Sequence, residues 1–376
     1  MSFLTTHTTH TTHTTHTTHP PFSSNAVDLP STLVTEGLLS TLTAEGHWVL
    51  DGQGRPISAR LLRGGVRTGF DAAQPPTPNS FPDAQARFWG MSPLPRAFVC
   101  HSELMDQVCF KQTTADKGEL KTRTGKSIIQ LTRPSFDLFK AQLEVVHQRS
   151  VERGRRMAEI LPQVVPADAW WASVLGLRAD RHPKTREFLD TALNFTVTVV
   201  FRFKQMFGCP RPLEYSPGIR PMIAVPGHDT WPSGHATESF LQARILGTLS
   251  KLSLSPDASA QDQLWQTAER IAKNREVAGL HFPVDAVAGC LLGDTLGRFV
   301  VSYSAADDAP SEDHVAISDR FDQAHFYATE LTADVDLVHL AGDASREAST
   351  FDAKPATSPL QPYMQWLWAA ARKEWS

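Results

Sequence analysis

The sequence predicts a mainly α protein: a helical bundle carrying short peripheral hairpins and long loops. Three observations predict it. From Ser135 onward, apolar residues recur at helical spacing in one long segment after another. Those segments tend to open on Ser or Pro and to close on Gly, as helices do. Alternating apolar and polar residues, the mark of a half-buried strand, are almost absent, which leaves helix against helix as the simplest way to bury a core.

The chain opens on five Thr-Thr-His copies over residues 5–19, with histidines at 7, 10, 13, 16 and 19. Imidazoles ligate transition metals, so the tract suits a metal-scavenging tail. It also has no apolar surface to bury, and a disordered leader is the simpler expectation. Pro20, Pro21 and Pro30 extend that leader. From Leu33 to about Phe70, short apolar runs flank Asp51-Gly52, the signal of a hairpin lying on the main body. Prolines 75, 76, 78, 82, 93 and 95 then predict a wrapping loop over 71–97, because proline removes the donors that regular structure needs.

Ser135 is placed to cap a helix running to about Leu161, with Phe136, Phe139, Leu143, Val146 and Ile160 on its apolar stripe. Arg149, Arg153, Arg155 and Arg156 fall on the other face, ordinarily a solvated one and less ordinarily a substrate-steering patch. A shorter helix covers Asp168–Leu177. Pro183 opens the next, which continues to Phe207 and stops at Gly208-Cys209-Pro210. Ser233 opens a helix to about Leu252, Gln261–Ala278 forms another that ends at Gly279, and Pro283 starts one through about Val301. Beyond lies an acidic irregular stretch (Asp307, Asp308, Glu312, Asp313) and an amphipathic segment, Leu360–Trp375. Its Trp366, Trp368 and Trp375 suit closing a pocket, docking a second subunit or covering the bundle, the last being the default. The predicted organisation is a leader (1–32), peripheral loops, hairpin and short helices (33–134), a helical catalytic core (135–304) and an acidic tail with a terminal helix (305–376).

Composition bounds the function. Hydrophobic content of 41% and charged content of 20% are ordinary for a globular protein. A net charge of −4 gives no general attraction to nucleic acid or an anionic membrane, so any anion site must be local. Cys100, Cys109, Cys209 and Cys290 lack zinc-type spacing and read as reduced thiols, with a Cys100–Cys109 disulfide left open. The most apolar stretches, Leu193–Phe207 and Val284–Tyr303, carry Arg202 and Lys204, and Asp285, Asp294 and Arg298. A charge at mid-bilayer costs roughly 2.5 kcal/mol or more, so buried helices are expected rather than membrane spans. With no secretory signal pattern, the expectation is a cytoplasmic protein.

Function concentrates between Lys204 and Asp285. Lys204 lies near the end of its helix. Arg211 follows between Pro210 and Pro212, which hold the backbone extended and fix the direction of its fork. An arginine fork matches two oxyanion oxygens, and lysine supplies a point charge. Lys204 alone is explained by the helix dipole; an arginine braced by two prolines is not. In Pro232-Ser233-Gly234-His235, the serine caps a helix whose free amides favour an anion, and Gly234 lets an oxygen approach the backbone. His235, beside the positive end of that helix, suits a general acid or base. Arg275 ends one helix, and His281 stands at the junction with the next. Asp285, four residues on, can accept from one imidazole nitrogen and leave the other free as a nucleophile or metal ligand.

These three pieces resemble the signature of the type 2 phosphatidic acid phosphatase and vanadium haloperoxidase superfamily. Lys204, Arg211 and Pro212 match its first part, Pro232 to His235 its second, and Arg275, His281 and Asp285 its third. Asn274 departs from the serine that often precedes the arginine. The motifs cover about eighty residues, and the leader and tail fall outside the resemblance. The resemblance implies that Lys204, Arg211, Arg275, the Ser233 hydroxyl and the Gly234 amide bind phosphate or vanadate oxygens. By the same token His281 is the apical group, bonded to vanadium or attacking phosphorus, His235 is the acid/base, and Asp285 orients His281.

Two activities fit that set: oxidation of halide by peroxide with vanadate as cofactor, or hydrolysis of a phosphoester through a phosphohistidine with no cofactor. The absence of spanning helices and of a signal peptide, the extra helical and loop material, and His228 at the position of a halide-site residue favour the first. Partners are then small molecules (peroxide and halide, or a phosphoester), with no nucleic acid or membrane span, and self-assembly stays open. A non-catalytic anion-binding protein is the reading from a different class, and the intact pair of histidines with Asp285 argues against it.

Overall fold

The computed structural model describes residues 83–164, 168–250, 259–305, 337–338 and 362–375. The Thr-Thr-His tract, the Asp51-Gly52 hairpin and the acidic stretch after Asp307 lie outside the described residues. The chain forms two units, Ser23–Leu94 and a larger one made of Met1–Phe22 with Pro95–Ser376. In the smaller unit α1 (Ala84–Gly90) is capped by Asp83, whose carboxylate accepts from Ala86 N at 2.8 Å, and Phe88 meets Trp89 edge to face.

The predicted wrapping loop is partly helical. After α1, helix α2 (Pro93–Asp106) starts on Pro93 and Pro95, where the sequence predicts a loop. Proline in a first turn gives up an amide that has no helical partner there anyway, so Pro93 and Pro95 do not prevent the helix. A three-stranded antiparallel sheet follows, β1 (Val108–Thr114), β2 (Lys117–Thr122) and β3 (Ser127–Thr132), in the order β1-β2-β3. Val108 pairs with Thr122, and Lys117 with Thr132. Val108, Leu120, Ile128, Ile129 and Leu131 are its buried apolar residues.

The long helix expected from Ser135 to Leu161 is broken. Helix α3 (Phe136–Arg149) has the predicted cap, with Ser135 Oγ accepting from Leu138 N at 3.2 Å. It then tightens into a 3₁₀ turn at Ser150–Glu152 before α4 (Arg153–Ile160). The arginine face is not simply solvated. Arg149 pairs with Glu276, Arg153 donates to the carbonyls of Val277, Ile219 and Arg220, and Arg156 donates to Asn274 Oδ1. Only Arg155 is left on the exposed side. The turn at 150–152 aims α4 so that these guanidiniums reach the C-terminal end of a helix more than a hundred residues away.

The rest follows the start and stop signals. Helix α5 spans Asp168–Leu175, and α6 spans Pro183–Phe207, ending at left-handed Gly208 (φ 59°). A short α7 (Pro212–Tyr215) precedes α8 (Gly234–Leu249), α9 (Ser259–Val277) and α10 (Pro283–Ser304). Gly279, at φ 81°, turns the chain from α9 towards α10, a conformation that favours glycine. Helix α8 is the centre: it lies against α10, α9 and α6. Its contact with α10 runs along Gly289, Gly293 and Gly297, one turn apart. A Cβ at Gly289 would come within 2.6 Å of Ser233 O, so backbone meets backbone there. At the far end, Asp294 joins Arg244 of α8 to Arg298 of its own helix, at 2.7 and 2.5 Å.

Helix α11 (Tyr363–Arg372) lies on α6 and α10. Trp368 is buried, and Glu374 accepts from Lys184 N (2.7 Å) and Thr185 N (2.8 Å), capping the start of α6. Of the three roles open to the Trp-rich segment, it covers the bundle. All four cysteines are free. Among the described residues no helix is long and apolar enough to cross a membrane.

Candidate active site

Three helix ends build the site. The last turn of α6 carries Lys204, and Gly208 N donates to Lys204 O at 3.0 Å, closing that end. The chain then extends through Arg211 (φ −82°, ψ 161°), as its flanking prolines predict, and Arg211 N donates to Glu214 Oε2 at 2.6 Å. Ser233 caps α8, with its Oγ 3.4 Å from Ala236 N, while its own N–H donates to Asp285 O at 3.0 Å. That last bond ties the start of α8 to the first turn of α10, and the glycine stripe lets the two helices come close enough to make it.

Lys204, Arg211, His281 and Asp285 form one connected, buried cluster, with half-buried His228 at its edge. Lys204 is 1% exposed and its ammonium donates to the carbonyls of Asp229 (2.6 Å) and Thr230 (2.9 Å). Arg211 donates to His228 O (2.8 Å) and Leu280 O (3.0 Å), and its two Nη atoms stand 3.4 Å from His281 Nε2 and 3.2 Å from His228 Nδ1. On its other edge, His281 Nδ1 lies 2.9 Å from Asp285 Oδ2 and 3.1 Å from Thr230 Oγ1. Asp285 Oδ2 also accepts from Phe282 N at 2.9 Å and from the Thr230 hydroxyl in a short bond.

These partners assign the tautomer. A carboxylate, and a hydroxyl that donates to that carboxylate, surround Nδ1, so the ring proton belongs there, and Nε2 faces the Arg211 donor with its lone pair. Burial, then the positive charges of Arg211 and Lys204, with smaller contributions from His235 and His228, hold His281 well below the usual imidazole range. His281 is therefore neutral, and its contact with Asp285 is a hydrogen bond rather than an ion pair. Burial raises Asp285, opposed by the Thr230 hydroxyl, the Phe282 amide, Lys204 and Arg211. Lys204 is lowered by burial and next by Arg211, and burial pushes Arg211 down to about 10.

His235 and Arg275 belong to a second cluster, built on Gln163 in the 3₁₀ turn Pro162–Val164. Arg275 Nη2 donates to Gln163 Oε1 (3.1 Å) and Ile160 O (3.0 Å), and His235 Nε2 lies 2.9 Å from Gln163 O. Asn274 also donates to Gln163 Oε1, at 2.9 Å. Arg275 is fully buried, and burial lowers it to about 9. Its Nε and Nη1 have no hydrogen-bond partner among the described residues. Two guanidinium donors facing no protein acceptor are what an arginine held ready for an anion presents.

The two clusters are joined through the backbone. Leu280 N donates to Arg275 O at 3.0 Å, and Leu280 O accepts from Arg211. Sequence reasoning missed Thr230 and Gln163. Thr230 stands two residues before the Pro232 motif with nothing to mark it, and Gln163 lies about seventy residues before His235. The departure at Asn274 was visible in the sequence but its role was not: Asn274 bridges Glu159 (3.0 Å), Gln163 and Arg156, pinning α4 to α9 beside Arg275.

Two imidazoles, a buried carboxylate and three buried cations thus stand at helix ends of a mainly α core, in two adjoining clusters. Residues 189–308 match the family model described as the PAP2 superfamily. The chain thus carries a PAP2-superfamily segment, running from within α6 past the end of α10, and every predicted site residue lies inside it. The match supports an oxyanion-binding enzyme of the phosphatase or haloperoxidase type. No curated protein matches the chain.

Proposed function

We propose that this chain is a vanadate-dependent enzyme that oxidises halide with hydrogen peroxide. The observations that carry the proposal are a neutral His281, its Nδ1 proton engaged by Asp285 and Thr230 and its Nε2 beside Arg211, and the unsatisfied Nε and Nη1 of buried Arg275 in the neighbouring cluster. A neutral imidazole beside one arginine, with donors of a second left unsatisfied, suits a tetrahedral oxyanion, and vanadate fits that donor set. Lys204, Arg211, Arg275, the Ser233 hydroxyl and the Gly234 amide would hold its oxygens, with His281 Nε2 as its protein ligand. When bound, vanadate supplies a Lewis-acidic centre that activates peroxide towards halide.

The residues of this chain do the remainder. Asp285 and Thr230 fix the ring of His281 and keep its proton on Nδ1. Lys204, Arg211 and Arg275 would compensate the negative charge of the bound oxyanion. His235, held by Gln163 O, is the residue that would give and take a proton. His228 favours oxidation over hydrolysis: it touches Arg211 and stands edge-on to Phe201 at 5.0 Å, a half-buried aromatic flank suited to a halide.

The lone pair on His281 Nε2 also supports a second reading, a phosphomonoesterase without cofactor. There Nε2 attacks phosphorus, the leaving oxygen takes a proton from His235, and water deprotonated by His235 then cleaves the phosphohistidine. One pair of assays separates the readings: hydrolysis of p-nitrophenyl phosphate, and peroxide- and bromide-dependent dye bromination, each with and without orthovanadate. Bromination switched on by vanadate is expected. Hydrolysis that vanadate only inhibits would select the phosphatase, and inactivity in both would remove both. His235→Ala should abolish turnover while keeping the anion bound, whereas a binding protein would lose nothing measurable.

A further inference from the structure

A cavity of about 1020 Å³ lies beside the Arg211 loop without Arg211 in its wall. The turn between β1 and β2, the end of β3, the start of α3 and the Gly208–Pro210 and Glu214–Tyr215 segments line it. Its volume is that of sites that take small organic ligands. One wall is aromatic. Phe136 and Tyr215 lie with ring centroids 5.3 Å apart and 32° between planes, and Phe139 backs Tyr215 at 5.8 Å. Phe136 is 64% exposed, so its ring face is open to a ligand in the cavity.

The polar groups of the wall decide what that ligand is. Both carboxylates are engaged: Asp116 pairs with Arg133 at 2.5 Å, and Glu214 accepts the Arg211 amide. Arg133 is held by Asp116, while the wall also carries the Lys117 ammonium, the Tyr215 hydroxyl and the Thr132 hydroxyl, the last without a hydrogen-bond partner among the described residues. An aromatic shelf beside an ammonium and hydroxyl donors calls for a flat ligand bearing an acceptor group.

We propose that this cavity is a ligand site separate from the histidine cluster, taking a planar aromatic acid. Its ring lies on Phe136 and Tyr215, and its carboxylate meets Lys117 and the Tyr215 hydroxyl. Cys209, which also lines the cavity, connects it to the cluster: its backbone oxygen accepts from Thr230 N at 2.9 Å. A bound acid therefore touches the same loop that sets Arg211 and Thr230.

The site is tested by titration calorimetry of the full chain with 2-naphthoate, alone and with excess orthovanadate. The expected result is saturable binding of one equivalent, unaffected by vanadate. It should weaken about tenfold in Phe136→Ala and in Lys117→Gln, and by a similar factor for uncharged 2-naphthalenemethanol. Phe136 and Lys117 are not core residues, and thermal melts of both variants check that they are folded. Failure to saturate, displacement by orthovanadate, or an unchanged affinity in either variant would overturn the proposal. None of these outcomes depends on which reaction the histidine cluster performs.

Discussion

Thr230→Val tests whether the hydroxyl beside His281 matters to the chemistry or only to packing. The substitution keeps the branched shape and deletes the group that donates to Asp285 Oδ2 and lies 3.1 Å from His281 Nδ1. Hydrogen bonds to a charged partner contribute about 1.5–3 kcal/mol, so losing this one should lower kcat/KM by roughly 10- to 150-fold where the bond is needed in the transition state. A pH signature goes with it. Burial raises Asp285 and the Thr230 hydroxyl opposes that rise, so the variant's carboxyl must titrate at higher pH. The acid limb of the pH–rate profile should therefore move upward, because Asp285 has to be ionised to hold the Nδ1 proton. Turnover would be followed across pH 4–9 (about the range in which imidazole and raised carboxyl groups titrate) in whichever assay the wild type supports. An unchanged rate with an unchanged acid limb, in a variant that melts like the wild type, would refute the reasoning.

Arg275→Lys keeps the charge but removes the fork, so orthovanadate or phosphate affinity, read by calorimetry, should fall at least about tenfold. Gly293→Val forces a branched side chain into the backbone contact between α8 and α10 and should destabilise the fold by about 1–3 kcal/mol in urea unfolding. Glu103 accepts from Tyr303 OH and Met364 N, both at 2.9 Å, and burial raises it to about 7 from 4.5. The folded state then binds the proton more tightly than the unfolded chain. Stability should thus decline as pH rises from about 4.5 to about 7 and level off above, a loss of order 3 kcal/mol from this group. Glu103→Gln should flatten that slope in melts across the same window.

Helix ends were the legible part of this chain. The start of α6 on Pro183, its stop at Gly208, the Ser233 cap and the Pro283 start are local backbone preferences, so the sequence shows them directly. Placing Lys204, Arg211, His281 and Asp285 at those ends needed only the ends themselves and four-residue spacing. The break at Ser150–Glu152 was not legible, since no Gly or Pro marks it. Its cause is tertiary: Arg153 reaches three carbonyls, those of Val277, Ile219 and Arg220. Long side chains seeking distant backbone look like a solvated charge run when only neighbours are considered. The sheet was hidden for a similar reason. Lys117–Thr122 is polar in composition, yet pairing on both sides and burial of Leu120 make it the central strand.

The glycine seam between α8 and α10 has a mechanical consequence. With no side chains between the two backbones there, Ser233 at one helix start and Asp285 at the other cannot slide or separate without breaking the fold. They form a fixed anvil. Any breathing that admits a molecule to His281 must be supplied by the lighter pieces around it, the Gly208–Tyr215 turn or the Pro162–Val164 turn that clasps His235 and Arg275. Amide exchange should accordingly be slowest along the seam and fastest at those two turns.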